Sequence, residues 1–168
     1  MKKIYLAGGC FWGVEHYLSL IGGVESTTVG YANSDIPSPS YEDLKAHRSS
    51  ASETVEVLYD EEKISLNEIL ELFFLIIDPT LKDQQGHDVG HQYRTGIYYV
   101  EQEDLPVLEK ALSSLQEKYE RPVLTELLPL ANFTVAEEYH QDYLIKNPQG
   151  YCHVDPKMFE FVKRYGRS

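Results

Sequence analysis

Cys10 stands in Gly8-Gly9-Cys10-Phe11-Trp12-Gly13, where an apolar strand pattern, Ile4-Tyr5-Leu6-Ala7, gives way to a helical one. Phe11, Val14, Tyr17, Leu18 and Ile21 recur at three- and four-residue spacing, which places the thiol near a helix N-terminus. Unpaired N–H groups and the helix macrodipole favour an anion there, and a thiolate is such an anion. Helix N-termini lower a cysteine's pKa from about 8.5 toward neutrality and below, which enlarges its reactive fraction. The chemistry to expect is nucleophilic attack by sulfur. A free cysteine is more often a small buried hydrophobe, but Phe11 and Trp12 weigh against that here. Two rings beside a turn thiol can wall an apolar pocket over it, and the indole adds an N–H donor.

The second thiol, Cys152, follows Asn147-Pro148-Gln149-Gly150-Tyr151. A Pro/Gly breaker in the C-terminal part of the chain predicts an exposed, mobile tail over 147–168. A mobile thiol can visit an active site, and if Cys10 became a sulfenic acid, Cys152 could resolve it as a disulfide. Two polar loops also carry chemistry: Tyr41-Glu42-Asp43 leading to Glu53, and Gln85-Gly86-His87-Asp88-Val89-Gly90-His91-Gln92-Tyr93. Tyrosine hydroxyls with a carboxyl group can polarise and protonate a departing oxygen. His87 and His91 have the spacing of a zinc pair on a helix, and His140 and the pair Cys152-His153 could be recruited to them, but Gly86 and Gly90 argue for a loop, so no metal site is expected.

These groups need a scaffold. After strand Ile4 to Ala7 and helix Phe11 to Leu20, Gly22-Gly23 breaks the pattern and Val24 to Tyr31 supplies a second strand. Asn33 to Ser40 reads as an irregular loop and Glu53 to Tyr59 as a third strand. Ser65 and Glu68 form a capping box that opens a helix running to within a residue or two of Pro79. Thr80 to Tyr93 is a long polar loop, Arg94 to Val100 a fourth strand, Glu103 to Tyr119 a helix and Val123 to Leu128 a fifth strand, with two short helices beyond. The order β-α-β-β-α-β, then α-β, predicts an α+β fold, a ferredoxin-like two-layer sandwich with a mixed sheet and an irregular, loop-rich tail.

At 168 residues the chain suits a single catalytic domain spanning 1–168. Two distant cysteines do not make a secreted disulfide framework, so a cytoplasmic setting is expected. The basic Met1-Lys2-Lys3 start is followed by Gly8-Gly9, Glu15 and His16, unlike a signal peptide. The longest apolar run, Leu72 to Ile77, falls far short of the roughly 20 residues of a spanning helix. A net charge of −12 argues against nucleic acid and anionic lipid as partners.

With these residues in view, the chain resembles the A-type methionine sulfoxide reductases, the peptide-methionine (S)-S-oxide reductases. The likeness runs nearly end to end. It is carried by Gly9-Cys10-Phe11-Trp12-Gly13 with Glu15, Val29-Gly30-Tyr31-Ala32, Tyr41-Glu42, Asp78-Pro79-Thr80 and Asp88-Val89-Gly90-His91-Gln92-Tyr93-Arg94. Glu138 to Leu144 and Asn147 to Cys152 extend it through the tail.

The resemblance implies that Cys10 attacks the sulfur of methionine S-sulfoxide while Phe11 and Trp12 hold its methyl group. It implies further that Glu53 protonates the oxygen, that Tyr41 and Tyr93 donate hydrogen bonds to it, and that Asp88 supports the polar network. Cys152 then forms the disulfide, which thioredoxin or a similar dithiol reduces, with no bound cofactor and a monomer as the working unit. A sulfoxide oxygen leaves poorly, so Glu53 must be protonated at neutral pH, which an aromatic-walled pocket favours by burial. Two departures mark this chain: Ser50-Ala51-Ser52 before the acid, where many members have Gly-His, and Asn33-Ser34 where many have Gly-Gly. The residues alone also admit a thiol peroxidase, or an acidic module that binds oxidised methionine without reducing it.

Overall fold

The computed structural model describes residues 1–165. In chain order its elements are β1 (Lys2–Gly8), α1 (Phe11–Ser19), β2 (Val24–Ala32), α2 (Tyr41–Lys45), β3 (Ser52–Tyr59) and α3 (Leu66–Phe74). Then come β4 (Gln84–Gln85), β5 (Asp88–Val89), β6 (Thr95–Tyr99), α4 (Leu105–Gln116), β7 (Glu126–Pro129), β8 (Phe133–Val135), α5 (Tyr143–Lys146) and α6 (Pro156–Arg164). Six strands make one mixed sheet in the order β7-β6-β1-β3-β2-β8, and β4 and β5 form a separate small hairpin. β1 is antiparallel to both its neighbours, β3 and β6, and only β6 and β7 run parallel.

Alternation along the strands sets the layers. Ile4 and Leu6 of β1 and Val55, Val57 and Tyr59 of β3 join Phe11, Val14, Tyr17 and Leu18 of α1 in the main core. Tyr5, Ala7, Ala32 and Tyr98 lie in a smaller cluster under Leu130 and Phe133. Glu53 shares the parity of Val55 and Val57, so β3 delivers it to the helix-covered face, opposite Tyr31 of β2. The turn after β1 delivers Cys10 to the same face, because Gly9 takes φ +90° and lets the chain reverse into α1.

The mixed α+β architecture expected from the sequence is present, with local differences. The capping box of Ser65 and Glu68 opens α3 as expected, but the helix ends at Phe74, well before Pro79. Its last turn tightens through Leu75 N–H to Leu72 O and Ile76 N–H to Phe73 O. The chain then leaves to pair the Asp78 backbone with the Gln85 side-chain amide in both directions, at 2.8 and 2.7 Å.

β7 starts at Glu126, later than the expected Val123, because Val123 and Leu124 spend their N–H groups elsewhere, on the Gln116 side chain and the Pro79 carbonyl. Not anticipated from the sequence were α2, capped by Ser40 and Asp43, the β4–β5 hairpin within the expected Thr80–Tyr93 loop, and β8, which covers the edge of β2. Tail residues 147–165 are docked in the structure through buried Val154 and Val162, and positions 166–168 lie outside the described residues. Among the described residues no helix is long and apolar enough to cross a membrane.

Candidate active site

Cys10 occupies the N-cap position of α1, is 7 % exposed and is a free thiol. The first N–H of the helix, that of Phe11, donates to Glu53 Oε1 at 3.3 Å, so a carboxyl group occupies one of the orphan donors beside the thiol. The second carboxyl oxygen, Oε2, accepts from Gln92 Nε2 at 3.2 Å. Glu53 is 2 % exposed. Burial pushes its pKa up to about 8, and the charge of Asp88 adds to that rise, while the hydrogen bonds from Gln92 and Phe11 pull the other way. An acid that is neutral at pH 7 stands beside the turn that holds the sulfur.

The thiol itself behaves differently from the expectation of a helix end. Burial and the charge of Glu53 raise the Cys10 pKa well above its ordinary value, and the Trp12 backbone N–H offsets only part of this. Desolvation of a nearly buried sulfur outweighs the macrodipole here.

Tyr41, Tyr93 and Asp88 lie close enough to this point for their charges and those of Glu53 and Cys10 to act on one another. Tyr41 begins α2, and burial followed by the charges of Glu53 and Cys10 lifts its hydroxyl to about 12. Tyr93 ends a one-turn 3-10 helix, His91–Tyr93, and its hydroxyl is raised by burial, Glu53 and Tyr41. Both phenols therefore stay protonated donors across the neutral range. Asp88, on β5, accepts a hydrogen bond from the Tyr151 hydroxyl at 2.9 Å. Phe11 is fully buried with its ring 5.2 Å from that of His140. Trp12 is half-buried, stacks on Tyr143 at 3.8 Å with an interplanar angle of 12°, and donates from Nε1 to His140 Nδ1 at 3.0 Å.

Cys152 lies against α1: a Cβ added to Gly13 would sit 2.8 Å from its Sγ. Its thiol faces the Val154 carbonyl at 3.5 Å. Cys10 and Gly13 are three residues apart, so the second thiol is parked about one helical turn from the first.

Gln92, Tyr143 and Glu137 were not singled out from the sequence, and His140 was weighed there as a metal ligand. Gln92 holds Glu53, His140 and Tyr143 fix the indole, and Glu137 ties Tyr31 to the backbone of Tyr41 at 2.7 and 3.2 Å. Gln92, His140 and Tyr143 lie in the blocks Asp88 to Arg94 and Glu138 to Leu144, and Glu137 falls just before the second. Aromatic and amide residues crowded in a short run were the signal available. His91, weighed as a metal ligand, instead pairs with Asp83 at 3.0 Å.

The two departures from the common family pattern lie against each other. Ser34 Oγ meets Ser49 Oγ at 2.8 Å, and Asp35 and Ser50 exchange backbone-to-side-chain hydrogen bonds at 3.1 and 2.8 Å. Ser52 is buried behind the acid and bonds to the Tyr98 hydroxyl at 2.9 Å. The serines thus tie two loops together without entering the acid's own hydrogen bonds.

Known proteins share this arrangement of sequence and fold. The profile of the family described as peptide methionine sulfoxide reductase matches residues 2–165. The peptide methionine sulfoxide reductase MsrA of Clostridium acetobutylicum is 52 % identical over 165 residues, covering 98 % of this chain and all of that one. Mxr1 of Saccharomyces cerevisiae in its reduced form superposes with a TM-score of 0.85 at 41 % identity, over 90 % of this chain and 88 % of that one. The same yeast protein in complex with Trx2 matches with a TM-score of 0.62 at 30 % identity, over 84 % of each chain. The chain belongs to the peptide methionine sulfoxide reductase family.

Proposed function

We propose that Cys10, Glu53, Tyr41, Tyr93 and Asp88 carry out the reduction of methionine S-sulfoxide that the family performs, with Cys152 completing the cycle. The observation that carries this reading is the hydrogen bond from Phe11 N–H to Glu53, which fixes a buried acid with pKa about 8 beside the nucleophile's turn. The substrate methyl group rests against Trp12 and Phe11. Its oxygen faces Glu53 and the two phenols. The Cys10 sulfur loses its proton and bonds to the sulfoxide sulfur while Glu53 protonates the oxygen and the S–O bond breaks. The oxygen then bonds to the Cys10 sulfur as the S–S bond breaks and methionine departs, and the proton lost from Cys10 restores Glu53.

Neutral Glu53 serves twice. It holds the proton the oxygen needs, and it lacks the negative charge that otherwise raises the Cys10 pKa. Both effects favour attack below about pH 8. Burial keeps Glu53 in that state, Asp88 adds to it by repulsion, and Asp88 also accepts a hydrogen bond from the Tyr151 hydroxyl.

The sulfenic acid on Cys10 then condenses with the Cys152 thiol, forming a disulfide and water. A thioredoxin-type dithiol reduces that disulfide, and the complex of the yeast relative with Trx2 supports this partner. The tail over 147–168 carries this resolving thiol, and the chain acts as one catalytic domain and as a monomer in the cytoplasm. The order β6-β1-β3-β2, antiparallel throughout, supports the ferredoxin-like description of the sheet's centre.

The test is reduction of the separated S and R epimers of a blocked methionine sulfoxide by the wild type and by Cys10→Ser, with dithiothreitol as reductant. S-specific activity that disappears in the variant is expected. Equal use of both epimers, or activity that survives in Cys10→Ser, would overturn the assignment.

A further inference from the structure

His153 follows the resolving cysteine, and its ring lies across the turn that carries Cys10. Nε2 is 3.1 Å from the Gly8 carbonyl oxygen, which can only accept, so Nε2 carries the hydrogen and donates. That bond fixes the neutral tautomer with a lone pair on Nδ1. Nδ1 is buried and has no hydrogen-bond partner among the described residues. It points toward Gly13: the place a Gly13 Cβ would take is 3.7 Å from Nδ1 and 2.8 Å from Cys152 Sγ. Glycines make this approach possible. A Cβ on Gly9 would meet His153 Nε2 at 3.2 Å, and one on Gly86 would meet His153 Cβ at 3.4 Å.

A buried imidazole with a free lone pair beside the resolving thiol is otherwise a costly arrangement. We propose that His153 is the general base of the resolving step, taking the proton from Cys152 as that thiol attacks the oxidised Cys10. In that step the Cys152 Sγ–H bond breaks and its proton moves to His153 Nδ1. The Cys152 sulfur bonds to the Cys10 sulfur, the Cys10 S–O bond breaks, and the departing hydroxide takes the proton back from the imidazolium as water. The Cys152 sulfur is oxidised and the Cys10 sulfur reduced, with no further reactant. A base is needed because burial raises the Cys152 pKa above its ordinary value. Burial lowers the pKa of the His153 ring, the hydrogen bond to Gly8 and the charge of Asp88 on β5 pull it back up, and the Cys152 thiol lies on the same side of Gly13. An imidazolium formed there gains from that carboxylate.

The proposal rests on Cys152 as the resolving thiol, so the experiment separates the two. Full-length wild type, His153→Ala, His153→Asn and Cys152→Ser are each mixed with one equivalent of blocked methionine S-sulfoxide without reductant. Methionine and disulfide are timed separately, with dimedone trapping sulfenic acid. At pH 7 the ratio of the disulfide rate to the methionine rate should fall about 100-fold in both His153 variants, the scale of lost general-base catalysis. The deficit should shrink by about tenfold per pH unit as solvent ionises Cys152, and imidazole should restore His153→Ala. A deficit that is uniform across pH and unrescued by imidazole, or none at all, overturns the role of His153. Failure of Cys152→Ser to accumulate sulfenic acid overturns instead the reading beneath it.

Discussion

The Glu53 carboxylate oxygen Oε1 accepts the first backbone N–H of the α1 helix, that of Phe11, at 3.3 Å. This bond joins β3 to the residue next to Cys10, so the acid and the nucleophile cannot drift apart without breaking a buried contact. Neither partner is close in sequence, being separated by 42 positions. The sheet register that sets Glu53 opposite Tyr31 is what brings them together.

Glu53→Gln keeps a side chain that can still accept from Phe11 but removes the transferable proton. Single-turnover reduction of a blocked S-sulfoxide should slow by about 10²- to 10⁴-fold, with a much smaller change in KM. In the wild type the chemical step should decline as pH rises through about 8, where Glu53 ionises. Stability follows the same group. Its folded pKa is raised from an ordinary 4.5, so the unfolded chain loses the proton first and stability falls as pH rises from about 4.5 to about 8. Glu53→Gln has no such proton to lose, so its Tm should gain on that of the wild type across this window. A Tm difference that is flat with pH would refute the buried neutral acid.

The strand and helix order and the thiol at the start of α1 were legible because each rests on local pattern: alternation, three-and-four spacing and turn residues. Partners that depend on tertiary contact were not. Nothing in the run His91-Gln92-Tyr93 distinguishes the amide that holds Glu53 from its neighbours, because that role is fixed only when the loop folds against β3. Phe133 to Val135 is too short and too exposed to announce a strand, and it becomes one by closing the free edge of β2. The direction of the Cys10 shift was missed for a similar reason, since spacing reveals a helix end but not the depth at which it is buried.

Cys152→Ser removes the second thiol and leaves the acid, the phenols and the aromatic wall in place. One equivalent of methionine should form per chain, after which sulfenic acid persists on Cys10 and dimedone labels it. Steady-state turnover with thioredoxin should fall by about two orders of magnitude or more, because no disulfide forms for that reductant to attack. Unimpaired turnover with thioredoxin would show that Cys10 is reduced directly.

Trp12 is held flat by Tyr143 on one side and by the His140 ring nitrogen at its edge. Tyr143→Ala frees the indole to turn while leaving it in the chain. The stacked pair contributes about 0.5–1.5 kcal/mol beyond its buried area, so KM for a blocked sulfoxide should rise about two- to tenfold with a smaller effect on kcat. Titration by indole fluorescence should show the emission of Trp12, the one tryptophan, shifting red as its ring gains water. A change confined to kcat would place Trp12 outside substrate binding.

Gly13 tests the parking place of the resolving thiol. An alanine there would put its Cβ 2.8 Å from Cys152 Sγ, which must move, and 3.1 Å from Val154 Cγ2, which must give by a few tenths of an ångström. Alanine favours the helix by about 1 kcal/mol over glycine, so α1 itself gains while its contact with residues 152–154 is lost. Overpacking of a filled site costs about 1–3 kcal/mol, enough to detach this part of the tail and leave the helix intact. The expected result is a global Tm close to that of the wild type, with amide exchange faster at residues 152–154. The disulfide should form more slowly after a single turnover, while methionine release keeps its rate. If disulfide formation instead sped up, the docked position of Cys152 would be a brake on resolution rather than its starting point.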